Sequence, residues 1–537
     1  MHKRGSDQNH LYWHHRPTRR QFLRSATLLG LAAASTPLWL RQGVPSLSPA
    51  RALAADKILR LRLVTDITNI DPAFHPATAD TQTLEAVNEG LVSYKPGTWE
   101  VVNVLAEKIE ASPDGLRVDF KLREGIQFHH GYGELTAEDV KFSYERIIDP
   151  ELQSSYKQDW EALDHVEVTG KYTGTIILKE PFAPLWTSTL PIAGGLILSK
   201  KAVTEKGLDV YKTSPVGTGP YEFVEWVPNQ KVVLRRFADY WGEQPEWDEI
   251  HELVIPEDSA AEVALQTDEL DFGVISGGAV ERVQVDPDFT VIEIPTMDYH
   301  GLVMNVQHPK LQDINVRQAI RYAVDVQGIV EGAYDGKAVR ACSIIAPGQL
   351  GYWADAPCYE RDVEKARSYM EKAGLKSLDV TLTVYNSEVE RAVGEIIQAS
   401  LAEVGINAEI ITQDDATYWD GGFGETGLKE RQLTYISWGT TNPDPTWSVM
   451  WFICDQVLQW NWMYWCDKEF DDLYYAALRE LDPDKRNQLY IQLQQVWDKA
   501  CNVVWTVHPI EYFAVRKGIM AGISPAGVPV LRGFRSA

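Results

Sequence analysis

The sequence predicts an α/β protein with more than one lobe. Three observations carry this. Strand-like and helix-like segments alternate along the chain, one stretch reads as a complete β-α-β unit, and the chain is too long for a single compact core. Of 537 residues, about 480 follow an N-terminal segment of different composition, a length suited to two or three lobes.

The elements follow in order. Ile58-Leu59-Arg60-Leu61-Arg62-Leu63-Val64 alternates as a strand does and leads into the turn-rich Asp66-Ile67-Thr68-Asn69-Ile70-Asp71-Pro72. A helix is predicted from about Asp80 to Glu89. Thr136-Ala137-Glu138-Asp139 fits a capping box, in which a hydroxyl and a carboxylate satisfy the free N–H groups at a helix start. The helix it opens carries Val140, Phe142, Ser143 and Ile147. Strands are predicted at Thr175–Leu178, Lys231–Arg235 and Thr290–Ile294. From Asn315 a helical period takes over, with Val316, Ala319, Ile320, Ala323 and Val324 on one face. The β-α-β unit is a strand at Val380–Tyr385, a helix at Arg391–Val404 and a strand at Asn407–Ile411. A long amphipathic helix, Asp482–Ala500, places Leu489, Leu493 and Val496 on one side. There is no fixed-period repeat and no low-complexity tract.

Residues 1–54 read as an export signal. A polar, basic head contains Thr18-Arg19-Arg20-Gln21-Phe22-Leu23-Arg24, the paired cations of a twin-arginine signal. An apolar stretch, Ala26–Leu40, is about 15 residues long, short of the roughly 20 that span a bilayer as a helix. Ala52-Leu53-Ala54 supplies a small-x-small cleavage site. No Cys precedes Cys342, so the signal offers no thiol for a lipid anchor. A free, periplasmic protein is expected.

The first 54 residues carry eight Lys/Arg and one Asp, leaving −32 on the remainder against −25 for the whole chain. Such acidity argues against nucleic acid and anionic membrane surfaces as partners and favours a soluble monomer. The 18 Trp and 23 Tyr supply both core and pocket walls. The five Cys suggest short-range pairs, Cys342–Cys358 and Cys454–Cys466, in an oxidising compartment. Cys501, in the apolar Ala500-Cys501-Asn502-Val503-Val504-Trp505, is left as a buried small residue.

Catalytic signatures are missing: no Gly-x-Ser-x-Gly, no His-Glu-x-x-His, and no phosphate loop. Gly332-Ala333-Tyr334-Asp335-Gly336-Lys337 is one residue short of that loop and lacks the following Ser/Thr. His129-His130 lacks further ligands at metal spacing and reads as a loop pair. No cofactor, metal or catalytic residue is expected.

Several strings in order resemble the dipeptide/oligopeptide class of extracellular solute-binding proteins (family 5), which serve ABC importers. They are Leu122-Arg123-Glu124-Gly125-Ile126-Gln127-Phe128-His129-His130-Gly131 with Thr136-Ala137-Glu138-Asp139-Val140; Pro215-Val216-Gly217-Thr218-Gly219-Pro220-Tyr221 with Asp239-Tyr240-Trp241-Gly242; Ala264 to Asp271; Val316-Arg317-Gln318-Ala319-Ile320 closing on Val324-Asp325; and Pro443-Asp444-Pro445 with Glu469-Phe470-Asp471-Asp472-Leu473. His130 stands where the family has Asp.

The resemblance implies a two-lobed periplasmic binding protein fold with an extra subdomain on the first lobe. Lobe I would comprise 56–94, 213–294 and 509–537, the inserted subdomain 95–212, and lobe II 295–508. The lobes would close on a peptide or peptide-like solute, which a membrane permease then receives. In dipeptide binders an Asp after a Trp-ended strand holds the ligand ammonium and an Arg on a facing strand-end loop holds its carboxylate. Aligned on Trp438 and Asp444-Pro445, the Asp position is Thr441. The loop after Tyr385 gives Glu388 and Glu390, with Arg391 already in the helix. The cleft residues expected from this reading are Thr68, Asn69, Asp298, Tyr299, Tyr385, Asn386, Trp438, Gly439, Thr440 and Thr441. Their uncharged polar and ring character leaves a neutral sugar or polyol, or an opine-like compound, as alternatives. A carboxylate-based exported hydrolase and a sensory binder acting on a membrane receptor are the other readings.

Overall fold

The computed structural model describes residues 57–74 and 78–537. The expected signal segment lies outside the described residues. A single long sheet path organises the molecule. It runs Tyr221–Val227, Lys231–Arg236, Glu249–Val254, Ile58–Leu63, Phe272–Ile275, Val503–Arg516, Tyr299–Met304, Leu433–Trp438, Leu378–Tyr385 and Ile406–Gln413. Strand Val503–Arg516 belongs to both halves of this path. Its C-terminal part pairs antiparallel with Phe272–Ile275 and with Phe289–Pro295, in register Glu511↔Ile294. Its N-terminal part pairs with Tyr299–Met304 and with Ala338–Arg340. Two chain segments therefore cross between the halves: this strand, and the link from Pro295 to Tyr299.

The first strand shows why its sequence folds this way. Leu59, Leu61 and Leu63 are buried on one face. On the other face Arg62 is buried too, and its guanidinium donates to the carbonyls of Ile255 (2.8 Å), Pro256 (2.7 Å) and Val274 (2.7 Å). A charged residue in a buried parallel strand is tolerated because every donor finds an oxygen. The strand pairs in parallel with Glu249–Val254, which requires the intervening chain to cross over.

The expected β-α-β unit is present. Strands Leu378–Tyr385 and Ile406–Gln413 pair in parallel, and helix Glu388–Ala402 packs on them through Val393, Ile397 and Leu401. Helix Ala137–Ile148 begins at a Thr136 cap, where the Asp139 carboxylate accepts from the Thr136 amide at 2.9 Å. The amphipathic helices lie at Ile314–Ala323 and Pro483–Ala500. Strands Ala106–Ala111, Arg117–Leu122, Thr173–Leu178 and Leu163–Val168 form a separate antiparallel sheet in the stretch between residues 95 and 212.

The family-like motifs meet at one buried carboxylate. Glu89 accepts from the Thr218 hydroxyl (2.9 Å), the Tyr240 hydroxyl (2.8 Å) and the Trp241 indole (2.9 Å). His129 is buried and its Nε2 lies 2.9 Å from the Gly219 carbonyl. A side chain at Gly217 would run into the Val87 carbonyl, so only glycine permits this approach. Burial holds the His129 imidazole well below its ordinary range, at about 4. Both cysteine pairs are brought together, with Cα atoms 4.8 Å apart for Cys342–Cys358 and 4.6 Å for Cys454–Cys466, while Cys501 is buried and unpaired. No helix among the described residues is long and apolar enough to cross a membrane.

Candidate functional site

Where the two sheet halves exchange strands, a cavity of about 710 Å³ opens. Its walls come from distant parts of the chain: Glu85 on helix Thr78–Val87, the turn 94–99, Tyr156, the crossover residues Thr296 and Asp298, Trp419, the loop 439–442, Trp447, Glu511, and the C-terminal loop through Arg532. The volume lies in the range of small-molecule sites, roughly 300–1,000 Å³.

Asp298 sits at the centre of the crossover. Its carboxylate accepts from the Thr440 amide at 3.0 Å, and its backbone carbonyl lies 2.8 Å from His508 Nδ1. Thr296 donates its amide (2.9 Å) and its hydroxyl (3.0 Å) to the Pro509 carbonyl, fixing one crossing segment to the other. Burial pushes the Asp298 carboxyl up to about 6, with the Thr440 amide pulling the other way. Glu511 enters from the second crossing strand and packs on Gly527. Burial, reinforced by the negative charge of Asp298, pushes Glu511 up to about 8. Burial also raises Glu85, while Arg532 opposes that rise. Arg532 donates to the Ser93 hydroxyl and to the Tyr94 carbonyl. Five rings, those of Tyr94, Trp99, Tyr156, Trp419 and Trp447, add flat apolar surface.

Of the residues expected from the sequence, Asp298, Gly439, Thr440 and Thr441 line this cavity together. Tyr299 and Trp438 face each other across neighbouring strands and are buried among other rings. Trp438 stacks on Phe452 at 5.4 Å between centroids. Thr68 and Asn69 turn towards Asp80, which accepts their amides at 2.6 and 3.2 Å. Tyr385 packs edge-on against Tyr418, and Asn386 accepts from Arg391 at 2.7 Å. None of these six is on the cavity wall. Glu390 is occupied by Ser437 and the Tyr385 amide.

Sequence reasoning missed Glu85, Tyr94, Trp99, Tyr156, Trp419, Trp447, Glu511 and Arg532. One signal existed: Glu511 is the single carboxylate in the largely apolar strand Val503–Arg516. Among the described residues no group of three or more His, Cys, Asp or Glu is arranged to hold a metal ion.

Residues 100–457 match the family of bacterial extracellular solute-binding proteins, family 5 (middle). The chain belongs to that family. It is 31% identical over 477 residues to the dipeptide-binding protein of Escherichia coli K12, covering 82% of this chain and 87% of the relative. It is 26% identical over 487 residues to the glutathione-binding protein GsiB of Salmonella typhi, covering 89% and 92%. Among solved structures, it is similar to the periplasmic binding protein DppA of Helicobacter pylori in complex with the peptide STSA. That match has a TM-score of 0.77 at 27% identity, covering 88% of this chain and 96% of the other.

Proposed function

We propose that this family 5 protein captures a peptide or peptide-like solute in the cavity at the strand crossover and passes it to the membrane permease of an ABC importer. The carrying observation is the cavity itself. Residues from both sheet halves wall it, and both crossing segments, through Asp298 and Glu511, form part of it. Bending at those segments would open and close the walls, which is hinge closure around a ligand. Relatives that bind a dipeptide and glutathione support a peptide-like solute. No observation favours the sugar, opine or hydrolase readings.

In this reading residues 1–54 direct export by the twin-arginine route, and the mature monomer waits unanchored in the periplasm. Its lobes are 56–94, 213–294 and 509–537 for the first, 295–508 for the second, with 95–212 as a subdomain on the first. The Cys342–Cys358 and Cys454–Cys466 pairs are oxidised there. The test is native mass spectrometry of the mature protein purified from periplasm, followed by a thermal-shift screen of di-, tri- and tetrapeptides. A bound mass that fragments as a peptide, and a peptide-induced rise in Tm, are expected. A carbohydrate mass with no response to any peptide would refute the proposal.

A further inference from the structure

The charges of the cavity wall do not balance. Among the described residues three carboxylates reach it, Glu85, Asp298 and Glu511, against two cations, Lys95 and Arg532. Lys95 is exposed and pairs with Glu100 at 3.4 Å. Arg532 is held by Ser93 and Tyr94, and its charge acts on Glu85 and Glu89. Among the described residues, Asp298 and Glu511 have no cation paired with them. The charged group that bears on Glu511 is Asp298, and the group that steadies Asp298 is a neutral amide, that of Thr440. A carboxylate taken out of water costs several kcal/mol unless a counter-charge or donors accompany it. Two such groups on one wall, facing open cavity, are arranged for a cation that arrives with the ligand. The rings of Trp419, Trp447 and Tyr156 on the same cavity suit the purpose, since an aromatic face attracts a cation and an apolar body alike.

We infer that Asp298 and Glu511 bind the primary ammonium group of the solute, and so restrict the cleft to solutes carrying a free amine. This rests on the reading of the cavity as a peptide site. It assigns the amine recognition to the two crossing segments, so that ligand charge is sensed where the halves of the molecule hinge. The Thr440 amide on Asp298 ties the second half to the same anchor.

The test uses the mature protein and a panel of di-, tri- and tetrapeptides, each in free, N-acetylated and C-amidated form. Thermal shift finds the best binders and calorimetry gives their Kd. Free and C-amidated peptides should bind. N-acetylated peptides without Lys should bind at least about tenfold more weakly, the loss expected when a charge-assisted pair is removed. Retained binding of an N-acetylated peptide that carries Lys would identify the side-chain ammonium as the bound group, and supports the inference equally. Asp298→Asn and Glu511→Gln keep shape and hydrogen-bonding capacity, and each should weaken the free peptide by a similar factor. The N-acetylated peptide should be nearly indifferent to both changes. Circular dichroism and the Tm of the ligand-free variants check that they fold. Equal affinity for free and acetylated peptides in wild type would overturn the inference while leaving the peptide reading intact. So would unchanged affinity of the free peptide in a folded Asp298→Asn, Glu511→Gln double variant. Failure of every peptide form to bind would overturn both.

Discussion

Arg486→Ala should be among the most destabilising single changes outside the apolar core. Asp444 and Arg486 form a two-pronged ion pair, at 2.6 Å and 2.8 Å, and both side chains are almost completely buried. Burial alone would raise the Asp444 carboxyl, but the charge of Arg486 and its hydrogen bonds hold it below its usual range. The guanidinium also donates to the Ala477 carbonyl (2.9 Å) and the Thr446 hydroxyl (3.1 Å), and Thr187 donates to Asp444. Removing the cation strands a carboxylate that water cannot reach, which costs roughly 3–5 kcal/mol. Asp444→Asn should cost a comparable amount by stranding the cation. The double change Asp444→Asn, Arg486→Ala leaves no uncompensated charge and should cost less than the sum of the singles, by about 1–3 kcal/mol. Urea unfolding at pH 7, followed by tryptophan fluorescence, measures all four corners of the cycle. Singles that each cost under about 1 kcal/mol, or strict additivity, would refute the account. Asp444 lies two residues beyond the cavity loop 439–442, so a folded Arg486→Ala protein should also bind its solute more weakly.

Other expectations follow from burial. Glu252 is fully buried, accepting from Gln82 Nε2 (2.6 Å) and the Thr83 hydroxyl (2.7 Å), and burial pushes it up to about 7 from its ordinary 4.5. The native state therefore binds a proton that the unfolded chain releases, and stability falls as pH rises from about 4.5 through about 7, by on the order of 3 kcal/mol. Glu252→Gln should flatten that fall, stabilising the protein at pH 8.5 with little effect at pH 4.5. Equal effects at both pH values in urea unfolding would contradict it. Trp419→Ala should weaken ligand binding with a smaller loss of stability, whereas Trp438→Ala, which empties a buried ring cluster, should lose roughly 3–5 kcal/mol of stability as well. Matching calorimetry with melting curves separates the two, and the reverse pattern would count against the placement of the cavity.

Local chemistry was legible in the sequence because it is carried by neighbours in the chain. The Thr136 cap, the β-α-β unit at 378–413 and the long helix Pro483–Ala500 all follow from spacing and residue type over a few turns. The family-like strings were legible for the same reason, and the structure gives most of them scaffold work. Thr218, Tyr240 and Trp241 converge on Glu89, while His129 pins Gly219. The cleft was only partly legible. Loop 439–442 could be found because it follows a recognisable Trp-ended strand, and Asp298 because it sits at a lobe crossing. Glu85, Trp419, Glu511 and Arg532 come together through long-range packing, which no local pattern encodes. Trp438 shows the converse. Its place at the end of a strand is correct, but the alternation of that strand turns its ring into the core and gives the cavity the next residues.

The same packing explains how a chain can keep a fold and still change what it binds. Residues that join motifs, such as Glu89 and the Asp444–Arg486 pair, are buried and multiply bonded, so altering one strands several partners. The cavity residue Asp298, by contrast, accepts one hydrogen bond on its carboxylate, from the Thr440 amide. Thr441, where the family resemblance leads one to expect an Asp, is exposed. On the inference that Asp298 and Glu511 bind the ligand's amine, its counter-charge would sit on the two segments that join the halves. A ligand held there would touch both crossing segments at once, so charge on the ligand would bear directly on closure.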